Sequence, residues 1–234
     1  MKRVCFAVLA VMLSGCAAAD GVRTDILTDE FETDYSTVYV ETLSVSGSAN
    51  PEYEEELNTQ IGDEVKYAVS SFDSLAQEAE KNLPEGVKSA LRITQDVKRN
   101  SGGFLSVIEE HYMFTGGAHG NTAWYPRNIY ILSEDPHNLS LGELFSEDDY
   151  INRLNIIIER EVSEDPERYS ELWDKPVITE ENQNNYYVTD EDLVIFFPPY
   201  TLSYYAKGFI EFDIKLTEIE GMINDKYKNI AINN

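Results

Sequence analysis

Cys16 is the side chain whose surroundings most clearly specify a chemistry. It closes the run Leu13-Ser14-Gly15-Cys16, after an apolar stretch from Val4 to Leu13 and a positive Met1-Lys2-Arg3 start. Ten apolar residues fall well short of the about 20 needed to span a bilayer core. The pattern is that of an export signal, with small residues before the cleavage point. A cysteine directly after that point is the acceptor for a diacylglyceryl group. Residues 1–15 are therefore expected to be a lipoprotein signal peptide. The remaining chain is expected to start at Cys16 and to be lipid-anchored in the cell envelope on the extracytoplasmic side, periplasmic or at the cell surface. The alternative is plain cleavage after the alanines at 17–19.

Other catalytic groups are sparse. Cys5 lies in the leader and Cys16 takes the lipid, so the folded body has no thiol for a nucleophile, a disulfide or a thiolate metal site. Gly-x-Ser-x-Gly, His-Glu-x-x-His and Walker-type loops are absent. The histidines are His111, His119 and His137. His111 and His119 could meet across a hairpin with acids around them, but three histidines are few for zinc; no metal and no cofactor are expected. The sharpest local motif is Gly116-Gly117-Ala118-His119-Gly120. Three glycines in five residues indicate positive φ or close backbone approach. His119 in such a loop is a candidate acid/base group. Alternatively, its ring nitrogens bond backbone groups and pin the turn.

Composition narrows the partners. The chain has 234 residues, 42% hydrophobic and 12% aromatic, which supports a packed core. Its net charge is −25, and loss of Lys2 and Arg3 leaves 16 basic against 43 acidic residues, or −27. Nucleic acid and anionic lipid are poor partners for such a surface, whereas a cationic partner is attracted. Exposed aromatics would suit recognition; the candidates are Trp124, Tyr125, Trp173, Tyr200 and Tyr204.

The elements that must position these groups follow from periodicity. Residues 16–35 are small, polar and acidic and read as a flexible lipidated tether. Residues 37–45 alternate as a strand. Asn50-Pro51 with Glu52 and Glu54 is a helix start. Leu57, Ile61, Val65, Val69, Phe72, Leu75 and Ala79 then form an apolar stripe to about residue 81. Strands are expected over 87–98, 104–114 and 123–132, with a turn at 100–103. Ser146 with Asp149 resembles a capping box for a helix to about 163. A helical turn at 166–173, a loop at 174–185, strands at 193–197 and 209–216 and a short helix at 217–223 complete the chain. The fold class is α+β: antiparallel sheets with a long N-terminal helix packed across a strand meander, then a second, smaller α/β part. The expected parts are 36–135, ending in the glycine hairpin, and 136–234.

Four landmarks in order resemble one family. Leu57-Asn58-x-x-Ile61, the Gly116–Gly120 motif, Leu141-x-Glu143-Leu144-Phe145, and Phe197-Pro198-Pro199-Tyr200 with Tyr205-Ala206-x-Gly208 are similar to the RsiV-like extracytoplasmic module. That module forms the C-terminus of the anti-sigma factor RsiV and lies beside the catalytic domain of the deacetylase PdaC. The resemblance covers residues 36 to about 223. It implies an exported two-part α+β fold facing the cell wall, and motif residues with structural roles. In RsiV the module is a receptor for lysozyme, so the resemblance implies lysozyme or peptidoglycan as a partner. Deacetylation is not implied, because the His-x-x-x-His metal motif is absent. The expectation is a non-enzymatic envelope lipoprotein that binds a cationic wall-active protein. The alternatives are a peptidoglycan- or glycan-acting enzyme using His119 with nearby carboxylates, and a structural envelope protein.

Overall fold

A computed structural model of the chain describes residues 22–131 and 136–231, with the backbone of Val4–Cys5. Cys16 and the lipid-acceptor motif lie outside the described residues. The fold is α+β and divides into two compact units. One holds residues 1–96 and 108–125, the other 97–107 and 126–234. The boundary expected at 135/136 is thereby replaced. The division runs through three long strands whose two ends belong to different cores.

The first unit is a sheet with one long helix. Its strands neighbour one another in chain order: β1 (Val4–Cys5), β2 (Arg23–Glu32), β3 (Ser36–Ser46), β4 (Ser89–Ser101), β5 (Phe104–Phe114) and β6 (Asn121–Tyr130). Helix α1 (Pro51–Glu80) connects β3 to β4, and that connection makes the pair parallel, with Val38 opposite Leu91 and Val40 opposite Ile93. The sheet is therefore mixed, where a meander alone would be antiparallel throughout.

Strand β2 corrects the reading of residues 16–35 as a tether. Ten residues, Arg23 to Glu32, pair antiparallel with Ser46 to Thr37. The segment carries four acids in Arg-Thr-Asp-Ile-Leu-Thr-Asp-Glu-Phe-Glu and faces solvent on much of its length. Its order comes from the ladder with β3, and ladder bonds leave no mark on side-chain polarity.

Helix α1 starts as its sequence specifies. The Asn50 side chain accepts the Tyr53 N–H at 3.1 Å, with Pro51 next in the first turn. Its buried stripe is Leu57, Ile61, Val65, Phe72 and Ala76. Val65, Phe72 and Ala76 pack on Val38, Val40, Leu91 and Ile93. Each large apolar side chain so buried contributes about 1.5–3 kcal/mol. Two expected members are corrected: Leu75 is 51% exposed, with Ala76 taking the inward position, and Val69 is only half-buried. A helix of 30 residues drifts across a twisted sheet, so a stripe read at fixed spacing loses its face toward the end. Asn58 clamps the helix to the sheet. Its amide accepts the Val45 N–H and donates to the Val45 carbonyl, both at 2.8 Å. That explains Leu57-Asn58-x-x-Ile61 as a packing element.

The second unit combines the other ends of β4, β5 and β6 with β7 (His137–Asn138) and a separate antiparallel sheet. The latter holds β8 (Tyr186–Val188), β9 (Asp192–Phe197) and β10 (Ile210–Lys215), in the order β10-β9-β8. Helices α2 (Leu141–Leu144), α3 (Tyr150–Glu164) and α4 (Leu216–Ile219) complete it. Gly102 and Gly103, with φ of +60° and +78°, make the two-residue turn between β4 and β5. The core joins Leu144, Leu154, Ile158, Ile195, Phe197, Phe212 and Ile214. Strand β8 lies in a region that sequence reading left unassigned. Buried side chains of β5 and β6 hold it: Ser106 Oγ accepts the Val188 N–H at 2.9 Å, and Asn128 Nδ2 donates to the Tyr186 carbonyl at 2.8 Å. Ser106 and Asn128 also bond each other at 2.7 Å.

Three local readings change. The expected Ser146/Asp149 capping box is not formed; Ser146 Oγ donates to the Met222 carbonyl at 3.1 Å. A box closes earlier, where Glu143 Oε2 accepts the Ser140 N–H at 2.9 Å. The Ser140 hydroxyl, donating to the same oxygen at 2.6 Å, and the Ser140 N–H hold the Glu143 carboxyl below its ordinary pKa. Residues 166–171 form hydrogen-bonded turns, ending two residues before the helical turn expected to 173. Beyond α4, a 3₁₀ segment Asp225–Ile230 continues the fold and buries Tyr227 and Ile230.

Candidate functional site

The glycine motif is the connection between β5 and β6. Gly116 and Gly117 have φ of +117° and +93°, a backbone region that side chains with a Cβ rarely enter. Gly120 serves a different need. A Cβ there would lie 2.5 Å from Cε2 and Cζ of Tyr112, so the Tyr112 ring occupies the space a side chain would take. His119 is exposed, and its Nδ1 bonds the Gly120 carbonyl at 2.7 Å. The geometry suits a histidine that pins a turn. Gly120→Ala is expected to destabilise the first unit by about 1–3 kcal/mol, the usual cost of overpacking. Denaturant unfolding of Gly120→Ala, Tyr112→Ala and the double variant checks this. The clash should disappear in the double variant, leaving a coupling between the two positions.

His111 sits apart from the motif in a polar chain on β3, β4 and β5. Its Nε2 bonds Oε1 of buried Glu109 at 2.6 Å, and Gln95 Nε2 donates to Glu109 Oε2 at 2.7 Å. The Gln95 N–H reaches Glu41 Oε2 at 2.9 Å, and the Tyr39 hydroxyl donates to Glu41 Oε1 at 2.8 Å. Tyr125 lays its ring 4.7 Å from that of His111. Trp124 Nε1 donates to Glu110 Oε2 at 2.8 Å. Among the described residues no group of three or more His, Cys, Asp or Glu side chains is arranged to hold a metal ion.

The remaining aromatic candidates lie in the second unit. The Trp173 N–H donates to the Leu202 carbonyl at 2.8 Å, which places the 166–173 segment beside the loop after Pro198-Pro199. Trp173, Tyr200 and Tyr204 are 63%, 57% and 40% exposed. Between the two segments lies a cavity of about 200 Å³, lined among others by Arg168, Tyr169, Glu171, Ser203, Lys207 and Glu211. Glu171 receives the Tyr204 hydroxyl at 2.8 Å and pairs with Lys207. Those partners lower the Glu171 pKa, the Lys207 bond most. Arg168 is held by Glu161 at 3.3 Å and Asp213 at 3.8 Å. Burial raises the pKa of Glu161, against the Tyr169 hydroxyl and Arg168, which lower it. Tyr169 is buried and stacks on Phe212 at 5.2 Å. Sequence reading flagged Trp173, Tyr200 and Tyr204 as separate candidates. It missed Arg168, Glu171 and Lys207, whose convergence has no signature in spacing.

Comparison with known proteins agrees with this architecture. Residues 142–217 match the model of DUF3298, a protein family of unknown function. Residues 30–122 match the model described as deacetylase PdaC. A DUF3298-family protein from Bacteroides fragilis has a similar structure, with TM-score 0.66 and 17% identity over 92% of this chain and 98% of its own. A DUF3298-family protein from Pseudomonas aeruginosa PAO1 follows, with TM-score 0.62 and 15% identity over 92% of this chain and 99% of its own. No curated protein matches the sequence. The fold is thus of the kind seen in DUF3298 proteins. The two family matches fit an RsiV-like module of unknown function.

Proposed function

We propose that this chain is an envelope lipoprotein, anchored through Cys16, that binds a cationic wall-active protein such as lysozyme without catalysing a reaction. The observation that carries the reading is the outer surface of α1. The helix holds nine acidic residues against a single lysine. Glu56, Asp63 and Tyr67 follow one another at helical spacing on its solvent side, and Tyr67 is 76% exposed. An acidic surface with a free-standing aromatic ring steers a basic partner and then gives it a short-range contact.

Titration of the chain from residue 22 onward against lysozyme, with cytochrome c as a basic control, tests the reading. Lysozyme should bind in preference to cytochrome c and keep a residual affinity at about 1 M salt, where screening acts within about 3 Å. The pair Glu56→Lys and Asp63→Lys should slow association at low salt by at least about tenfold. Equal binding to both basic proteins, lost together in salt, would reduce the partner to generic charge. The anchor is checked alongside: Cys16→Ser should move the protein to the soluble fraction and abolish labelling by a fatty-acid analogue.

A further inference from the structure

We propose that the cavity between residues 168–172 and the 203–211 segment binds an apolar α-amino acid as its zwitterion. Its two walls are fixed to each other. Ser203 Oγ donates to the Glu171 carbonyl at 3.0 Å, the Trp173 N–H donates to the Leu202 carbonyl at 2.8 Å, and Lys207 pairs with Glu171. A hollow held by bonds across it is preformed, which spares a ligand the cost of ordering the site. The volume of about 200 Å³ lies below the roughly 300–1,000 Å³ of pockets for drug-sized ligands, and one amino acid is a solute of that smaller class.

The lining carries both signs in equal number, in a chain with 43 acidic residues against 18 basic: Arg168 and Lys207 share it with Glu171 and Glu211. Two of the four have bonding capacity left. Arg168 reaches Glu161 at 3.3 Å, the Glu211 carbonyl at 3.4 Å and Asp213 at 3.8 Å, all longer than the about 2.7–2.9 Å of a close charge-assisted bond. Glu211 Oε1 accepts the Tyr187 hydroxyl at 2.6 Å, and its Oε2 takes no hydrogen bond among the described residues. The carbonyl contact keeps the Arg168 guanidinium beside the residue that carries this open oxygen. A carboxylate fits the planar fork of Arg168, and an ammonium fits Glu211 Oε2. Leu172, Phe209 and Ile210 add apolar surface to the same lining. An apolar α-amino acid has this division: a carboxylate and an ammonium on one carbon, with a hydrocarbon branch beside them. An anion alone would meet Glu171 and Glu211 without compensation, and a cation alone would meet Arg168 and Lys207.

The inference goes beyond the cationic-partner reading and uses a different surface from the outer side of α1. The probe is L-leucine, titrated against the chain from residue 22 onward and followed by amide NMR. Saturable shifts are expected in residues 168–172 and 203–211, with a dissociation constant on the order of 1 mM, as for a ligand of few atoms. N-acetyl-leucine lacks the ammonium and leucinamide lacks the carboxylate; each should bind at least about tenfold more weakly than leucine. Glu211→Gln keeps an oxygen for the Tyr187 hydroxyl and loses the charge. It should melt with the parent, weaken leucine at least about tenfold and leave N-acetyl-leucine unchanged. Arg168→Lys keeps a charge beside Glu161 and loses the fork. It should weaken leucine and N-acetyl-leucine alike and leave leucinamide unchanged. The Glu56→Lys, Asp63→Lys pair should leave leucine binding intact, so failure here and failure of the cationic-partner reading are distinct. No saturable shift up to about 50 mM leucine would overturn the proposal. So would leucinamide or N-acetyl-leucine binding as tightly as leucine, which would make the cavity a site for one sign of charge, or shifts indifferent to both Glu211→Gln and Arg168→Lys.

Discussion

Ile61→Asp is expected to unfold the first unit. Ile61 is fully buried in the inward stripe of α1. The substitution removes the burial of a large apolar side chain, about 1.5–3 kcal/mol. It also forces a carboxylate into a dry core without a partner, which costs several kcal/mol more unless the group stays protonated. A domain holds only about 5–15 kcal/mol in total, so the combined loss is comparable to the whole. Circular dichroism and amide NMR should show collapse of the native signals. Tyr67→Asp, on the exposed side of the same helix, should stay within about 0.5 kcal/mol of the parent. A native melting curve for Ile61→Asp would mean that α1 does not bury this face.

Arg99→Met should be the most damaging single change in the second unit. Arg99 is 4% exposed. Its Nη1 donates to the Thr189 carbonyl at 3.0 Å and the Ile230 carbonyl at 2.8 Å, and its Nε donates to Ser101 Oγ at 3.1 Å. Methionine keeps much of the stem volume but none of the donors. Each orphaned buried acceptor costs about 1–3 kcal/mol, so a total near 3–5 kcal/mol is expected. Hydrogen exchange should rise first in Asp225–Ile230, whose last carbonyl Arg99 holds. Ser101→Ala removes the Nε bond and the exposed Ser101 hydroxyl bond to Asp190 at 3.2 Å, leaves both carbonyl bonds in place, and should cost about 1 kcal/mol or less. Equal losses for the two variants would mean that the two carbonyl bonds are not what secures this segment.

Both predictions depend on contacts far apart in the chain, and so does the difference between what was legible and what was not. Helix α1 was legible because its determinants are local: the Asn50 cap, Pro51, and Leu57, Ile61, Val65 and Phe72 recurring on one face. Strand β10 was legible for the same reason, with Phe212 and Ile214 buried and Asp213 and Lys215 exposed in alternation. Gly116 and Gly117 announced their turn because glycine alone reaches those backbone angles without strain. Strand β2 was not legible. Its acids suit a solvated linker, and its order is supplied by β3. The capping box was read at Ser146 because Ser-x-x-Asp satisfies the local pattern; Met222, remote in sequence, takes the Ser146 hydroxyl instead.

For the candidate site, residue type named the aromatics and tertiary structure chose among them. Trp124 and Tyr125 engage Glu110 and His111 on the first unit. Trp173, Tyr200 and Tyr204 stand exposed on the second, where the Tyr204 hydroxyl donates to Glu171. By itself the sequence determined the α+β class, the long amphipathic helix, the glycine turn and the strongly acidic surface, since each is set by spacing or composition within a short window. Only the tertiary structure decided the pairing of β2 with β3, the parallel β3–β4 contact, the buried hydrogen bonds of Arg99 and Asn128, and the meeting of Glu171 with Lys207 beside Tyr204. Each of these joins backbone or side chains whose partners are fixed by how two elements pack, and packing is a property of the whole chain that no local period encodes.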